Sequence, residues 1–342
     1  MKLSIKDARA LSSDIFVRNG MSRDHADVIA DHLVYAEASG EVAGGIARTL
    51  SLVDEYLDRP AATDIEIVAK TSSSATLNGG GHTGYITSVY AMDKAIDMAR
   101  NSGFGLVGMS NAWFSGQLSY YVRRAAEAGF IGINCCNAKA RVAPTGGVDA
   151  ILGTNPLALG FPCDPRPVVI DIGTSSITVA ELLLRLKLGE PLDPGTGMDR
   201  DGHPSTDPAR VWTGALNVWG GPRGYGIALA VQLLGILGGG VPVVRDVADT
   251  GFLFVAINPE LLMPLAEFKA KAAELVTALE TSRPAPGVEA VRVHGMSSAA
   301  RREAAYARGY FELGDQTYKM LISLREGKNI APVLSNRKGA GQ

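Results

Sequence analysis

An α/β fold with a helical domain built from both ends of the chain is what this sequence predicts, on three observations. Helical periodicity fills the first sixty residues, strand and helix patterns alternate through the middle, and helical patterns return near the C-terminus. At 342 residues the chain exceeds one ordinary core. The expected organisation is a helical domain of residues 1–70 plus 297–342 and an α/β core of residues 71–296.

The elements follow in order. Ile5, Ala8, Leu11, Ile15 and Phe16 recur at helical spacing and stop at Asn19-Gly20. Ser22 can cap a second helix, whose stripe of Ala26, Ile29, Leu33 and Ala36 ends at Gly40. A third helix spans 46–57 and is closed by Pro60. Residues 65–68 and 75–77 read as a hairpin or meander. Helices over 85–101 and 116–128 alternate with strands over 105–109 and 131–134. Further strands are expected at 168–171 and 252–256, and further helices at 264–280, 297–308 and 316–325. The Ser, Arg, Pro and Gly run of 281–287 is the clearest boundary loop.

Composition excludes several roles. The 33 Lys+Arg against 35 Asp+Glu leave a net charge of −2, with no basic excess for a phosphate backbone, so nucleic acid is not expected as a partner. Three cysteines, Cys135, Cys136 and Cys163, form no CxxC pair and no disulfide framework. The start, with charges at Lys2, Lys6 and Arg9, lacks the apolar core of a signal peptide, and a reduced, cytoplasmic setting is expected. The apolar stretch 225–244 approaches the ~20 residues of a membrane span. Gly238-Gly239-Gly240 and Pro242 split it, so the expectation is a buried core helix and no membrane partner.

Among the motifs, Gly79-Gly80-Gly81-His82-Thr83-Gly84 satisfies G-x-G-x-x-G between a strand and a helix. The confirming acidic residue about 20 positions on is absent, because Ser110-Asn111 stands there, and a glycine-rich turn is the favoured reading. Asp199, Asp201, His203 and Asp207 lack the remaining ligands of a calcium loop and read as a solvated turn. The five histidines form no zinc pattern, and no metal is expected. Lys139 and Arg141 flank a strand exit, either as solvated charges or as an anion site.

Several segments together resemble the malate/L-lactate dehydrogenase family. They are residues 40–48, Ala143-Pro144-Thr145-Gly146-Gly147, Gly153-Thr154-Asn155-Pro156, Asp171-Ile172-Gly173-Thr174-Ser175, residues 199–208, Gly220-Gly221-Pro222-Arg223-Gly224-Tyr225-Gly226 and Arg292-Val293-His294-Gly295. The resemblance implies a sulfolactate dehydrogenase-like, non-Rossmann fold with a mixed sheet and a helical domain formed by both chain ends. It further implies a homodimer and an NAD(P)H cofactor, with NADH and NADPH left open. That cofactor would lie against Asp171, Ile172, Gly173, Thr174, Ser175 and Ser176, against Arg223 and Gly224, and against Gly295, Met296 and Ser297. Arg48 would clamp a substrate carboxylate.

This chain departs from the family's pattern at the chemistry. Ala43-Gly44-Gly45 stands where the family has Ser-His-Gly, and Phe114 where it has a second histidine. Arg223 replaces its lysine and Gln232 its glutamate. With Gly44, Trp113 and Phe114 at the substrate, reduction of C=O loses its usual acid, a group typically worth about 10²–10⁴-fold. A protonated imine brings its own proton, so the leading expectation is NAD(P)H-dependent reduction of C=N, as in a cyclic imine or imino acid, or of a related activated double bond, in a carboxylate-bearing small molecule. One alternative is a 2-hydroxy acid dehydrogenase whose acid has moved to Lys139, Tyr120 or Asp199. Another is a repurposed, non-redox or ligand-binding member.

Overall fold

The computed structural model describes residues 1–328, and the chain divides into two compact units. One comprises Met1–Ala61 with the segment from Gly295 onward, and the other comprises Ala62–His294.

In the helical unit, helices Ile5–Arg18, Arg23–Ser39 and Arg48–Leu57 come from the N-terminal segment, and Met296–Arg308 and Asp315–Arg325 from the C-terminal one. Ser4 and Ser22 accept the amides of Asp7 and His25, caps worth about 1 kcal/mol each. Gly40 ends the second helix at φ 92°, a conformation that favours glycine. The two segments are tied by the antiparallel pair of Lys2–Ser4 with Tyr310–Glu312. Residues 329–342 of the expected helical domain lie outside the described residues.

Residues 62–70 belong to the α/β unit instead of the helical one. Glu66–Lys70 is an edge strand paired with Ser74–Asn78, as the hairpin pattern predicted. At the other boundary the division falls at Gly295, two residues before the expected position 297, where a helix of the helical unit starts, and the 281–287 loop lies inside the α/β unit.

A seven-stranded sheet organises the α/β unit in the order Glu66–Lys70, Ser74–Asn78, Phe104–Ser110, Phe252–Ile257, Ile131–Cys136, Leu157–Phe161, Val168–Ile172. Only Ser74–Asn78 and Phe104–Ser110 run parallel; every other pair is antiparallel. A doubly wound dinucleotide fold needs successive parallel strands, and this sheet does not supply them. On one face, Gly105 and Gly132 let helices Gly84–Ser102 and Ser119–Glu127 approach, because a Cβ at either would strike Ala95 or Ala125. On the other, Cys135, Leu253, Leu106 and Leu157 pack against Ile227, Val231 and Leu234 of helix Pro222–Leu237.

That helix corrects an expectation. It is not buried in a core: Leu233 and Leu237 are 58% and 66% exposed, and Leu229 is exposed beside them. Uniform apolarity had hidden that only one side meets the sheet. The glycines that end it have a packing cause, since a Cβ at Gly238 would overlap the Phe252 carbonyl. No helix among the described residues is long and apolar enough to cross a membrane. Strand Leu157–Phe161, helices Val179–Leu188 and Pro208–Thr213, and a small sheet of two-residue strands around Gly197–Met198 add to the predicted elements.

Candidate active site

The glycine-rich 79–84 turn is occupied by its own chain. Gly79, Gly81 and Gly84 donate their amides to the carbonyls of Ser110, Asn111 and Trp113 at 2.8, 2.9 and 2.7 Å. Gly80 donates to Asn78 Oδ1 at 3.0 Å. Those amides are not available to a diphosphate, which agrees with a structural turn. What the turn does is hold the 110–116 loop. Thr83 Oγ1 donates to the carbonyls of Trp113 and Phe114 at 3.1 and 3.0 Å, and Trp113 Nε1 to the Gly81 carbonyl at 2.9 Å. Tyr121 adds a bond to the Ser115 carbonyl at 2.6 Å.

This clamp keeps Phe114 at φ 43°, where a bulky side chain costs roughly 1–3 kcal/mol. Trp113 is buried, with its indole N–H spent on the turn, so it supports the loop. Phe114 lies edge-on to it, 6.1 Å between ring centroids, and is the member of the pair with surface left for a ligand.

The 171–176 turn is built differently. Asp171 Oδ2 accepts the Ser119 amide at 2.7 Å, placing a carboxylate at the start of helix Ser119–Glu127. Thr174 Oγ1 donates to the carbonyls of Thr154 and Asn155, Ser175 Oγ to Ile177, and Ser176 Oγ to Thr196. These bonds fix the hydroxyls while leaving oxygen lone pairs, and Ile172 ends the edge strand ahead of them. Gly173 is exposed, has no left-handed φ, and its Cβ would stand 3.7 Å from the Thr154 carbonyl. Nothing in the fold requires glycine there. A surface without a side chain suits the close approach of a dinucleotide.

Gly224 makes the opposite case: its Cβ would overlap the Trp219 carbonyl oxygen, so packing alone explains it. Its neighbour Arg223 is exposed on the first turn of Pro222–Leu237 and has no ion pair among the described residues. A cation at a helix N-terminus opposes the dipole, so its presence there is not a gain in stability. Gly295, at φ 79°, with Met296 and Ser297 opens helix Met296–Arg308 in the helical unit, again without a side-chain cap.

Gln232 has its own explanation. It is buried, its Oε1 accepts from Asn155 Nδ2 at 2.8 Å and its Nε2 donates to the Pro242 carbonyl at 2.9 Å. A carboxylate would face that carbonyl, so the amide is what this network needs.

In the helical unit, Arg48 is the first residue of its helix, with Nη1 donating to Ser51 Oγ at 2.7 Å. A Cβ at Gly44 would find only Ala36 Cβ, 3.9 Å away, whereas one at Gly45 would overlap Glu37 Oε2. Gly45 is demanded by packing; Gly44 is not. Glu37, which the sequence reading passed over, accepts the Ile46 amide at 2.9 Å. Burial raises its pKa and the Ile46 bond opposes that rise.

The relocated-acid candidates separate. Asp199 Oδ1 accepts the amides of His203 and Asp201, each at 3.0 Å, and the bond from His203 leads in holding its carboxyl below the usual range. An ionised carboxylate closing its own turn is not a proton donor, so Asp199 is withdrawn from that role. Its ligand atoms lie within 4.8 Å of those of Asp201 and His203, as the same solvated turn dictates. Lys139 is exposed, with no ion pair among the described residues, and Tyr120 is buried edge-on to Tyr121 at 5.5 Å. Thiol chemistry is remote, since burial pushes Cys135 up to about 12 and Cys136 higher still.

A seven-stranded mixed sheet with a single parallel pair defines an α/β protein outside the doubly wound class. Residues 3–322 match the family model for malate/L-lactate dehydrogenase, and the chain belongs to that family. It is 34% identical over 302 residues to the L-sulfolactate dehydrogenase of Methanocaldococcus jannaschii, covering 84% of this chain and 87% of that one. The solved structure of sulfolactate dehydrogenase from that organism superposes with a TM-score of 0.85 at 32% identity, over 97% of this chain and 99% of that one. The Δ1-piperideine-2-carboxylate reductase of Pseudomonas syringae superposes with a TM-score of 0.85 at 26% identity, over 95% and 99%. The fold is the sulfolactate dehydrogenase-like one, and the protein is an NAD(P)-dependent oxidoreductase.

Proposed function

We propose that this enzyme reduces the C=N bond of a carboxylate-bearing small molecule, a cyclic imino acid being the fitting class. The observation that carries the reading is Phe114, an apolar ring held against backbone strain with no proton to give. Gly44, free of any packing demand, supports it. A bound NAD(P)H supplies the hydride. A protonated imine carries both its proton and its electrophilic carbon, so hydride addition gives the C–H and N–H amine with no acid from the protein. The residues of the α/β unit then have positioning roles, the Phe114 ring face against the cation and Gly173 and Arg223 at the cofactor; within the helical unit, Arg48 is the bidentate donor offered to a carboxylate. A structural neighbour named for Δ1-piperideine-2-carboxylate adds weight.

The second reading, 2-oxo acid reduction, is favoured by the sulfolactate dehydrogenase relative and would use Lys139 or Tyr120 as acid. Purified enzyme offered Δ1-piperideine-2-carboxylate and pyruvate with each cofactor discriminates them. Turnover of the imino acid at least tenfold above the oxo acid is expected, and the reverse ranking overturns the proposal. A homodimer is part of the reading, because the exposed Leu229, Leu233 and Leu237 need cover, and light scattering at twice the chain mass is the expected result. Three unpaired, buried cysteines fit a cytoplasmic setting.

A further inference from the structure

A second concave feature lies wholly within the helical unit. A cavity of about 370 Å3 opens beside the last turn of Arg23–Ser39, helix Met296–Arg308 and strand Tyr310–Glu312. That size is within the range of small-molecule sites, roughly 300–1,000 Å3. Glu37, Glu312, Arg301 and Arg308 line it over an apolar floor of buried Ala305 and Phe311.

Two positive and two negative side chains share this cavity, yet none of the four is in an ion pair among the described residues. Their hydrogen bonds leave charge to spare. Arg308 gives only Nε to the Tyr310 carbonyl, at 3.2 Å. Glu37 uses only Oε2, on the Ile46 amide. Arg301 Nη1 stands 2.8 Å from where a Cβ on Gly40 would be, so the guanidinium lies against bare backbone at the rim.

Opposite charges held apart around an apolar floor match a molecule bearing both charges and a small aliphatic body. We propose that this cavity binds a small zwitterionic amino acid, with its carboxylate on Arg301 and Arg308 and its ammonium on Glu37 and Glu312. The site is coupled to the 44–48 segment, because Glu37 is also the acceptor for the Ile46 amide, two residues before Arg48. An ammonium takes the Oε1 that the Ile46 amide leaves open, so one carboxylate joins the ligand to the segment carrying Gly44 and Arg48. The proposal does not depend on the reductase reading.

The test is calorimetric titration of the full chain with L-proline, beside cyclopentanecarboxylate and pyrrolidine, which each keep one of its charges. Saturable binding of L-proline is expected, at least tenfold tighter than either analogue. Arg301→Ala and Arg308→Ala, both exposed, should each weaken it about tenfold or more, as should Glu37→Gln, which retains an acceptor for Ile46. Arg48→Ala should leave it unchanged. No saturable heat, affinity indifferent to both arginine variants, or binding abolished by Arg48→Ala would each overturn the assignment; the last would place proline at the substrate clamp instead.

Discussion

Two glycine-bearing turns of the α/β unit invite the same reading and earn different ones. The 79–84 turn has the familiar spacing, but its amides are consumed by the carbonyls of Ser110, Asn111 and Trp113. The 171–176 turn matches no fingerprint, yet Gly173 there is open to solvent and unexplained by packing or φ. Spacing alone does not make a nucleotide site. At 171–176 the Thr174 and Ser176 amides are also taken, by the carbonyls of Thr154 and Asn217, so what separates the two turns is the open space at Gly173.

The same comparison ranks the variants. The largest effect is expected from Gly224→Ala, whose new methyl has no room beside the Trp219 carbonyl. It should lower stability by about 3 kcal/mol or more, read as the midpoint of chemical denaturation. Gln232→Glu should come next, at about 3 kcal/mol near pH 8, because the introduced carboxylate would face the Pro242 carbonyl. Burial raises the introduced group's folded pKa above its unfolded value of about 4.3. The penalty is therefore absent below that value and grows as pH rises, and an equal loss at pH 4 and pH 8 would break the account.

Arg223→Ala should weaken NAD(P)H binding about tenfold, or 1.4 kcal/mol, while leaving thermal stability unchanged or slightly raised. A drop in melting temperature with unchanged cofactor affinity would make Arg223 a structural residue. The smallest effect belongs to Gly173→Ala. Its stability should stay within about 0.5 kcal/mol of the parent, with cofactor affinity falling about threefold.

Most elements were legible because apolar periodicity survives wherever one face is buried, as in Ile5–Arg18 and Gly84–Ser102. Strand Leu157–Phe161 escaped because five residues after Gly-Thr-Asn-Pro carry too little pattern to separate from a loop. Helix Pro222–Leu237 misled because a run apolar on all sides looks the same whether the protein or a partner covers it. At the site, Gly44 and Phe114 were visible as departures from a resemblance. Glu37 was not, since its partner is a backbone amide nine residues away, and no spacing rule announces such a pair. Asp199 was misjudged for a related reason: sequence shows an acid but not the two amides that keep it ionised.

The central claim is that the cofactor sits on the 171–176 turn and the Arg223 helix start, and that the 79–84 turn only supports the Phe114 loop. Nicotinamide fluorescence titrations of Arg223→Ala and Thr83→Val against the parent test it directly. Thr83→Val should destabilise the fold by about 1 kcal/mol, because it orphans the Phe114 carbonyl while the Trp113 carbonyl keeps the Gly84 amide, and it should leave the Kd for NADH and NADPH unchanged. Arg223→Ala should do the reverse, a stable protein with a Kd raised about tenfold. Cofactor affinity lost with Thr83→Val and kept with Arg223→Ala would contradict the claim.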